Sequence, residues 1–263
     1  MPPSLVNLVA DLEYRLTGRN QVDRLPPETA AQIPDGDTYV FALFDGLGTS
    51  QLDHARATGM RDALAGSIQA PFPSTTTVSM ATLATGMHPA THGTIGHQMW
   101  IPGLERVVNV LKWRAPTGQP IDFDTTEWLP RPNLWERLRA GGVEPITVQP
   151  GQFASSPLTR ALYRGARFEA VYTDDERIDA TIQLASQPGR LVFVYFAEVD
   201  FAAHVYGQQS PMYDDALIGA DRAWTTLANR LPAGTVLIGT SDHGHVDFTE
   251  SSKTLIRHAR YSG

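Results

Sequence analysis

TYVFALFDGLG, residues 38–48, is the stretch on which the fold turns. A short, almost uninterrupted apolar run that breaks at Asp45-Gly46 reads as a strand buried on both faces of a parallel sheet, closed by a tight turn. Similar runs recur at EPITVQP (144–150), RLVFVYFAEVD (190–200) and TVLIGTSDHG (235–244). Helical periodicity fills the intervals. Asn133 to Ala140 stops at Gly141-Gly142, and Asp174 to Gln187 aligns Ile178, Ile182 and Ala185. Tyr213 to Leu231 aligns Leu217, Ala220, Trp224, Leu227 and Leu231 in the same way. Ahead of the first strand, Ser4 precedes a stripe of Leu5, Leu8, Val9, Leu12 and Leu16, which predicts a capped helix. The proline-rich connector over 24–38 is expected to be a surface loop. Strands alternating with helices predict an α/β fold, a three-layer α/β/α sandwich around a mostly parallel sheet, with residues 1–263 forming one domain.

In open sheets of this class the functional crevice lies at the carboxyl ends of the strands. Three of the runs end on an acidic residue, Asp45, Asp200 and Asp242, and two of these have histidines close by, as Asp200-x-x-x-His204 and Asp242-His243. Taken singly, Asp45-Gly46 is equally a turn and His204 equally a satisfied core or surface histidine. Together, carboxylates and imidazoles without a thiolate describe a metal site suited to zinc or manganese.

Composition sets the limits. With 21 basic and 28 acidic residues the net charge is −7, which argues against a nucleic-acid duplex or an anionic membrane as the main partner. A small anionic substrate in a metal-filled pocket remains compatible with it. The absence of cysteine excludes disulfides and thiolate chemistry. No apolar run approaches the roughly 18 residues that suggest a bilayer span, and the N-terminus lacks a secretory pattern, so the expectation is a cytoplasmic enzyme.

The segment APFPSTTTVSMATLATG (70–86) places three consecutive threonines where a helix starts. An N-cap explains one of them. A helix N-terminus also attracts anions, and a hydroxyl held there beside a metal is an activated nucleophile.

These pieces resemble the alkaline-phosphatase superfamily, and within it the type I phosphodiesterase/nucleotide pyrophosphatase family. The resemblance is carried by FDGLG at 44–48, PSTT through TLATGMHPATHGTIGH at 73–97, SSPLTRALYRGARF at 155–168, EVDFAAHVYG at 198–207 and SDHGHVD at 241–247. It implies two adjacent divalent ions, zinc or alternatively manganese. Asp45, Asp242, His243 and the nucleophile would hold one ion, and Asp200 and His204 the other. The family pattern places the nucleophile at Thr76, with Thr75 the alternative. His97 falls where the family's extracellular members carry a phosphate-contacting asparagine; it either donates the same hydrogen bond or packs beside the site. The family's second ion takes a further histidine from far downstream. This sequence stops at Gly263, twenty residues after His243. Three readings stay open: His258 substitutes, His245 substitutes, or the chain is truncated and lacks that ligand.

The activity implied is hydrolysis of phosphate diesters or nucleotide pyrophosphates through a threonine nucleophile. The alternatives are a phosphomonoesterase or phosphonate hydrolase on the same scaffold, and a silent metal- or nucleotide-binding remnant. Sulfatase chemistry is disfavoured, because its cysteine-containing motif is absent. Arg114, Arg160 and Arg164 are available as extra cationic groups for a monoester. Trp100, Trp113 and Phe123 are either nucleobase contacts or packing, and 100–129 is the expected location of substrate-specific structure.

Overall fold

In the computed structural model, residues 2–252 and 254 are described. The central sheet has five strands: β1 (Thr38–Phe44), β4 (Glu144–Pro150), β5 (Arg167–Val171), β6 (Arg190–Phe196) and β7 (Thr235–Thr240). The order is β5-β4-β6-β1-β7, and every pairing is parallel. β1 lies between β6 and β7, with Tyr39 opposite Leu191 on one side and Val236 on the other. All seven of its residues are buried, as its unbroken apolar run requires.

The pleat divides β1 between two cores. Tyr39, Phe41 and Leu43 join one cluster with Leu5, Val9 and Leu12 of the helix Leu5–Thr17, Leu83 of the helix Thr76–Thr85, and Trp135 of the helix Leu134–Ala140. Val40, Ala42 and Phe44 join the other, with Ile178, Ala203 and Leu217 from the helices Asp174–Ala185, Glu198–Tyr206 and Pro211–Arg230. Successive side chains of a strand point to opposite faces, so a helical layer covers each side. The three-layer sandwich expected from the sequence is the observed architecture.

Local chemistry sets the helix ends. Ser4 and Asn7 exchange side-chain and backbone bonds at the first helix, and Gly18 ends it at φ 71°. Asn133 and Glu136 form the same reciprocal cap on Leu134–Ala140, and Thr173 with Glu176 on Asp174–Ala185. Three helices are clamped on one face by a buried ion pair. Arg137 Nε lies 2.7 Å from Glu13 Oε1, and Arg137 Nη2 donates to Glu13 Oε2 at 2.8 Å and to Thr85 O at 3.1 Å.

Some elements depart from the expectation. The connector holds a short helix, Pro27–Ala30. The run at 190–200 stops being a strand at Phe196, and Asp200 lies in the first turn of Glu198–Tyr206 rather than at a strand end. β5 completes the sheet edge. Within 100–129, an antiparallel hairpin of β2 (Gln98–Ile101) and β3 (Arg106–Asn109) covers a small cluster in which Trp113 stacks on Phe123 with centroids 5.1 Å apart. Trp113 and Phe123 are therefore packing residues, whereas Trp100 is exposed. Among the described residues no helix is long and apolar enough to cross a membrane. His258 lies outside the described residues.

Candidate active site

The carboxyl ends of β1, β6 and β7 bring Asp45, Asp200, Asp242 and His243 together. Asp45 extends the sheet by one bond, its N–H donating to Phe196 O at 2.9 Å, and its side chain is buried. Gly46 then turns the chain at φ 71°, and its N–H donates to Asp242 Oδ1 at 3.2 Å. A Cβ on Gly46 would lie 2.9 Å from Asp200 Cβ and 3.0 Å from Asp200 Cα, so both the dihedral and the close approach require glycine. Asp200 and His204 sit one helical turn apart, with His204 Nε2 3.4 Å from Asp200 Oδ1.

The three threonines separate by role. Thr75 holds the extended N-cap backbone, yet its side chain makes no capping bond. Thr77 is buried and donates to Gly96 O at 3.2 Å. Thr76 opens the helix and sets its Oγ1 3.1 Å from His243 Nε2. Ser79, one turn on, donates to Asp242 O at 2.8 Å and ties the same helix to the aspartate loop.

His243 Nδ1 lies 2.9 Å from Gly244 O, a pure acceptor, so that nitrogen carries the proton and Nε2 presents its lone pair. Nε2 faces Asp45 Oδ1 at 3.5 Å and Asp242 Oδ2 at 3.4 Å. Those two oxygens and Asp200 Oδ1 are buried without a hydrogen-bond partner. Buried carboxylate oxygens without a partner repel one another unless a proton or a cation sits among them, and together with the His243 nitrogen this donor set fits a divalent ion. Ligand atoms of Asp45, Asp200 and His243 all lie within 4.8 Å of one another, as do those of Asp200, His204 and His245, so Asp200 belongs to both groups.

Electrostatics agree with the geometry. Burial, reinforced by Asp242 and Asp200, pushes the Asp45 carboxyl well above the usual carboxylate range. Burial raises Asp242 to about 6. Burial, and His204 beside it, hold His245 below the ordinary imidazole value. A residue that the sequence reading missed is Tyr195, whose hydroxyl donates to Asp45 Oδ2. It sits inside the apolar run of β6, where a tyrosine reads as packing. His97 belongs to neither metal-type group. It is exposed, with its Nε2 3.1 Å from Asn109 Nδ2, although Gly96 beside it is held against the helix start by Thr77.

Residues 39–261 match the family model described as type I phosphodiesterase/nucleotide pyrophosphatase. The chain belongs to that family. Solved structures with the same fold include murine ectonucleotide pyrophosphatase/phosphodiesterase 5, an inactive variant in complex with AMP, at 18% identity and TM-score 0.62. That alignment covers 81% of this chain and 58% of the murine one. The human counterpart is 20% identical with TM-score 0.59, over 78% of this chain and 56% of that one. Phosphonoacetate hydrolase from Sinorhizobium meliloti in complex with phosphonoformate is 17% identical with TM-score 0.57, over 81% and 57%. This type I phosphodiesterase-family chain thus spans less than two thirds of the length of each of these neighbours. No curated protein matches it.

Proposed function

We propose that the chain is a metal-dependent hydrolase of phosphate diesters or nucleotide pyrophosphates, with Thr76 as the nucleophile. The observation that carries this reading is the position of Thr76 Oγ1, 3.1 Å from His243 Nε2 at the start of a helix and at the rim of the unpartnered carboxylates. Asp45, Asp242 and His243 would hold one divalent ion, with Asp200 and His204 contributing to a second. Zinc suits the donors, and manganese is the alternative. Bound there, the ions would supply a lowered hydroxyl pKa and neutralisation of developing charge.

The chain's own residues do the rest. Thr76 Oγ1 attacks phosphorus in line, forming the P–O bond to threonine as the bond to the leaving group breaks, an alcohol from a diester or a phosphate from a pyrophosphate, and the hydroxyl proton leaves with that group. Water then attacks the phosphothreonine, releasing the phosphate monoester or nucleotide and restoring the hydroxyl. Amides at the start of Thr76–Thr85 face the non-bridging oxygens. His97 and Asn109, paired beside that helix start, are the groups that would contact the substrate's phosphate. Tyr195 orients Asp45.

Of the three arginines available to a monoester, Arg164 is engaged on Glu136 Oε1 at 2.8 Å, Arg114 donates to Gly118 O at 3.1 Å and Arg160 to Ser155 O at 3.4 Å, which supports the diester reading over the monoester one. The test is turnover of an aryl phosphate diester against the matching monoester, for wild type and Thr76→Ala. Thr76→Ala is expected to lose turnover while keeping its metal content. Wild-type rates in that variant would overturn the nucleophile. Binding of metal and nucleotide without any turnover by the wild type would identify a silent remnant.

A further inference from the structure

His245 lies two residues beyond His243, and it is held by more contacts than a loop histidine needs. Gln51, itself buried, grips its backbone from both sides. Nε2 of Gln51 donates to His245 O at 2.8 Å, and its Oε1 accepts from His245 N at 3.4 Å. Gln51 also donates to Gln208 Oε1 at 2.9 Å, and Gln208 N–H donates to Asp247 Oδ2 at 3.1 Å. The segment is thereby tied to the short helix Thr49–Leu52 after β1 and to the loop after the Asp200 helix. A Cβ on Gly48 would lie 2.6 Å from Gly244 Cα, so the two backbones also press together next to His245.

The imidazole so fixed sits between two carboxylates. Its Nδ1 is 3.9 Å from Asp200 Oδ1 and its Nε2 is 3.9 Å from Asp247 Oδ1. His204 approaches the same Asp200 oxygen, and the two rings meet edge to face with centroids 4.8 Å apart. These separations exceed hydrogen-bond length, and Asp200 Oδ1 is buried without a partner. They approach the roughly 3.3 Å that separates ligand atoms standing about 2.05 Å from a tetrahedral ion. A metal-ligating imidazole also customarily turns its second nitrogen to a carboxylate, which is where Asp247 stands.

We propose that His245 is the third protein ligand of the second ion, through Nδ1, beside Asp200 and His204. Asp247 orients the ring and Gln51 positions its backbone. The second site is then completed within residues 200–247 and needs no ligand from His258. This assignment rests on the two-metal reading above.

The full chain, stripped with chelator and reloaded, is titrated with zinc by calorimetry, and its bound metal is counted by mass spectrometry. Wild type is expected to hold two ions. His245→Ala and His204→Ala should each keep one tight ion and lose the other, with affinity for it reduced at least about 100-fold, while His258→Ala keeps both. Asp247→Asn should weaken the same ion by about 10–100-fold. His245→Gln, which retains bulk and polarity, provides the reading if the alanine variant fails to fold. Two ions at unchanged affinity in the His245 variants would overturn the assignment and leave the two-metal reading standing. One ion or none in wild type would overturn both.

Discussion

Replacing Gly46 with alanine tests how tightly the turn after β1 is bound to the site. The φ of 71° places the residue in the left-handed region, which costs a residue with a Cβ about 1–2 kcal/mol. The added Cβ would meet Asp200 Cβ at 2.9 Å and Asp200 Cα at 3.0 Å. Backbone at a helix start cannot swing aside as a side-chain tip can, so overpacking adds about 1–3 kcal/mol. Gly46→Ala should therefore lose about 2–5 kcal/mol in urea unfolding of the metal-free chain. The displaced carboxylate is the one common to both metal-type groups, so zinc affinity should fall for both ions. A matched control is Gly219→Ala, in the exposed interior of Pro211–Arg230, where an added Cβ meets nothing within 4 Å. That change should stabilise by about 0.5–1 kcal/mol. If Gly46→Ala unfolded within about 0.5 kcal/mol of wild type and bound zinc normally, the close approach of the turn to Asp200 would be refuted.

Tyr195→Phe removes the donor to Asp45 Oδ2 and should weaken zinc binding by about 10–100-fold with little change in far-ultraviolet circular dichroism. Glu13→Ala strands the Arg137 guanidinium between three helices and should cost about 3–5 kcal/mol of unfolding free energy, read by denaturant titration far from the site. Asp242 must be ionised to bind a cation, and burial holds it near 6. Asp45 is raised as well, so zinc affinity should fall as the pH drops through this range, by up to about tenfold per pH unit for each proton that the ion must displace. Calorimetry in buffers of different ionisation heat should show proton release on binding at pH 6 and less at pH 8.

The strands β1, β4, β6 and β7 were legible because each is an apolar run stopped by a turn residue, and the main helices because each carries a stripe and a cap. β5 was not. RFEAV at the sheet edge has two exposed, two half-buried and one buried residue with no alternation, and its strand character comes from pairing with β4 rather than from its own pattern. Asp200 was read one element too early, because the apolar composition of 190–200 continues through the strand into the first turn of a helix. The acidic and imidazole residues of the candidate site were visible as residue chemistry just past the strands. Tyr195 and Gln51 were not, since a tyrosine in a buried run and a glutamine in the short helix Thr49–Leu52 have no local signal. Their roles come from partners 150 and 194 residues away.

β1 lies between β6 and β7 in the described sheet, and neither of these neighbours in space is near it in sequence: Gly46 reaches Asp242 across 196 residues. During synthesis at about 5–20 residues per second, β1 waits roughly ten seconds or more for β7, and the edge that β7 covers stays unpaired until then. Such long-range parallel pairing is intrinsically slow and exposed to aggregation until it closes. The same delay orders the chemistry, because Asp45 is made early and Asp242 and His243 late. A nascent chain cannot assemble the complete cluster of acidic and imidazole groups before its sheet has formed. Capture of a divalent ion by the full set would report that β1 has found both partners.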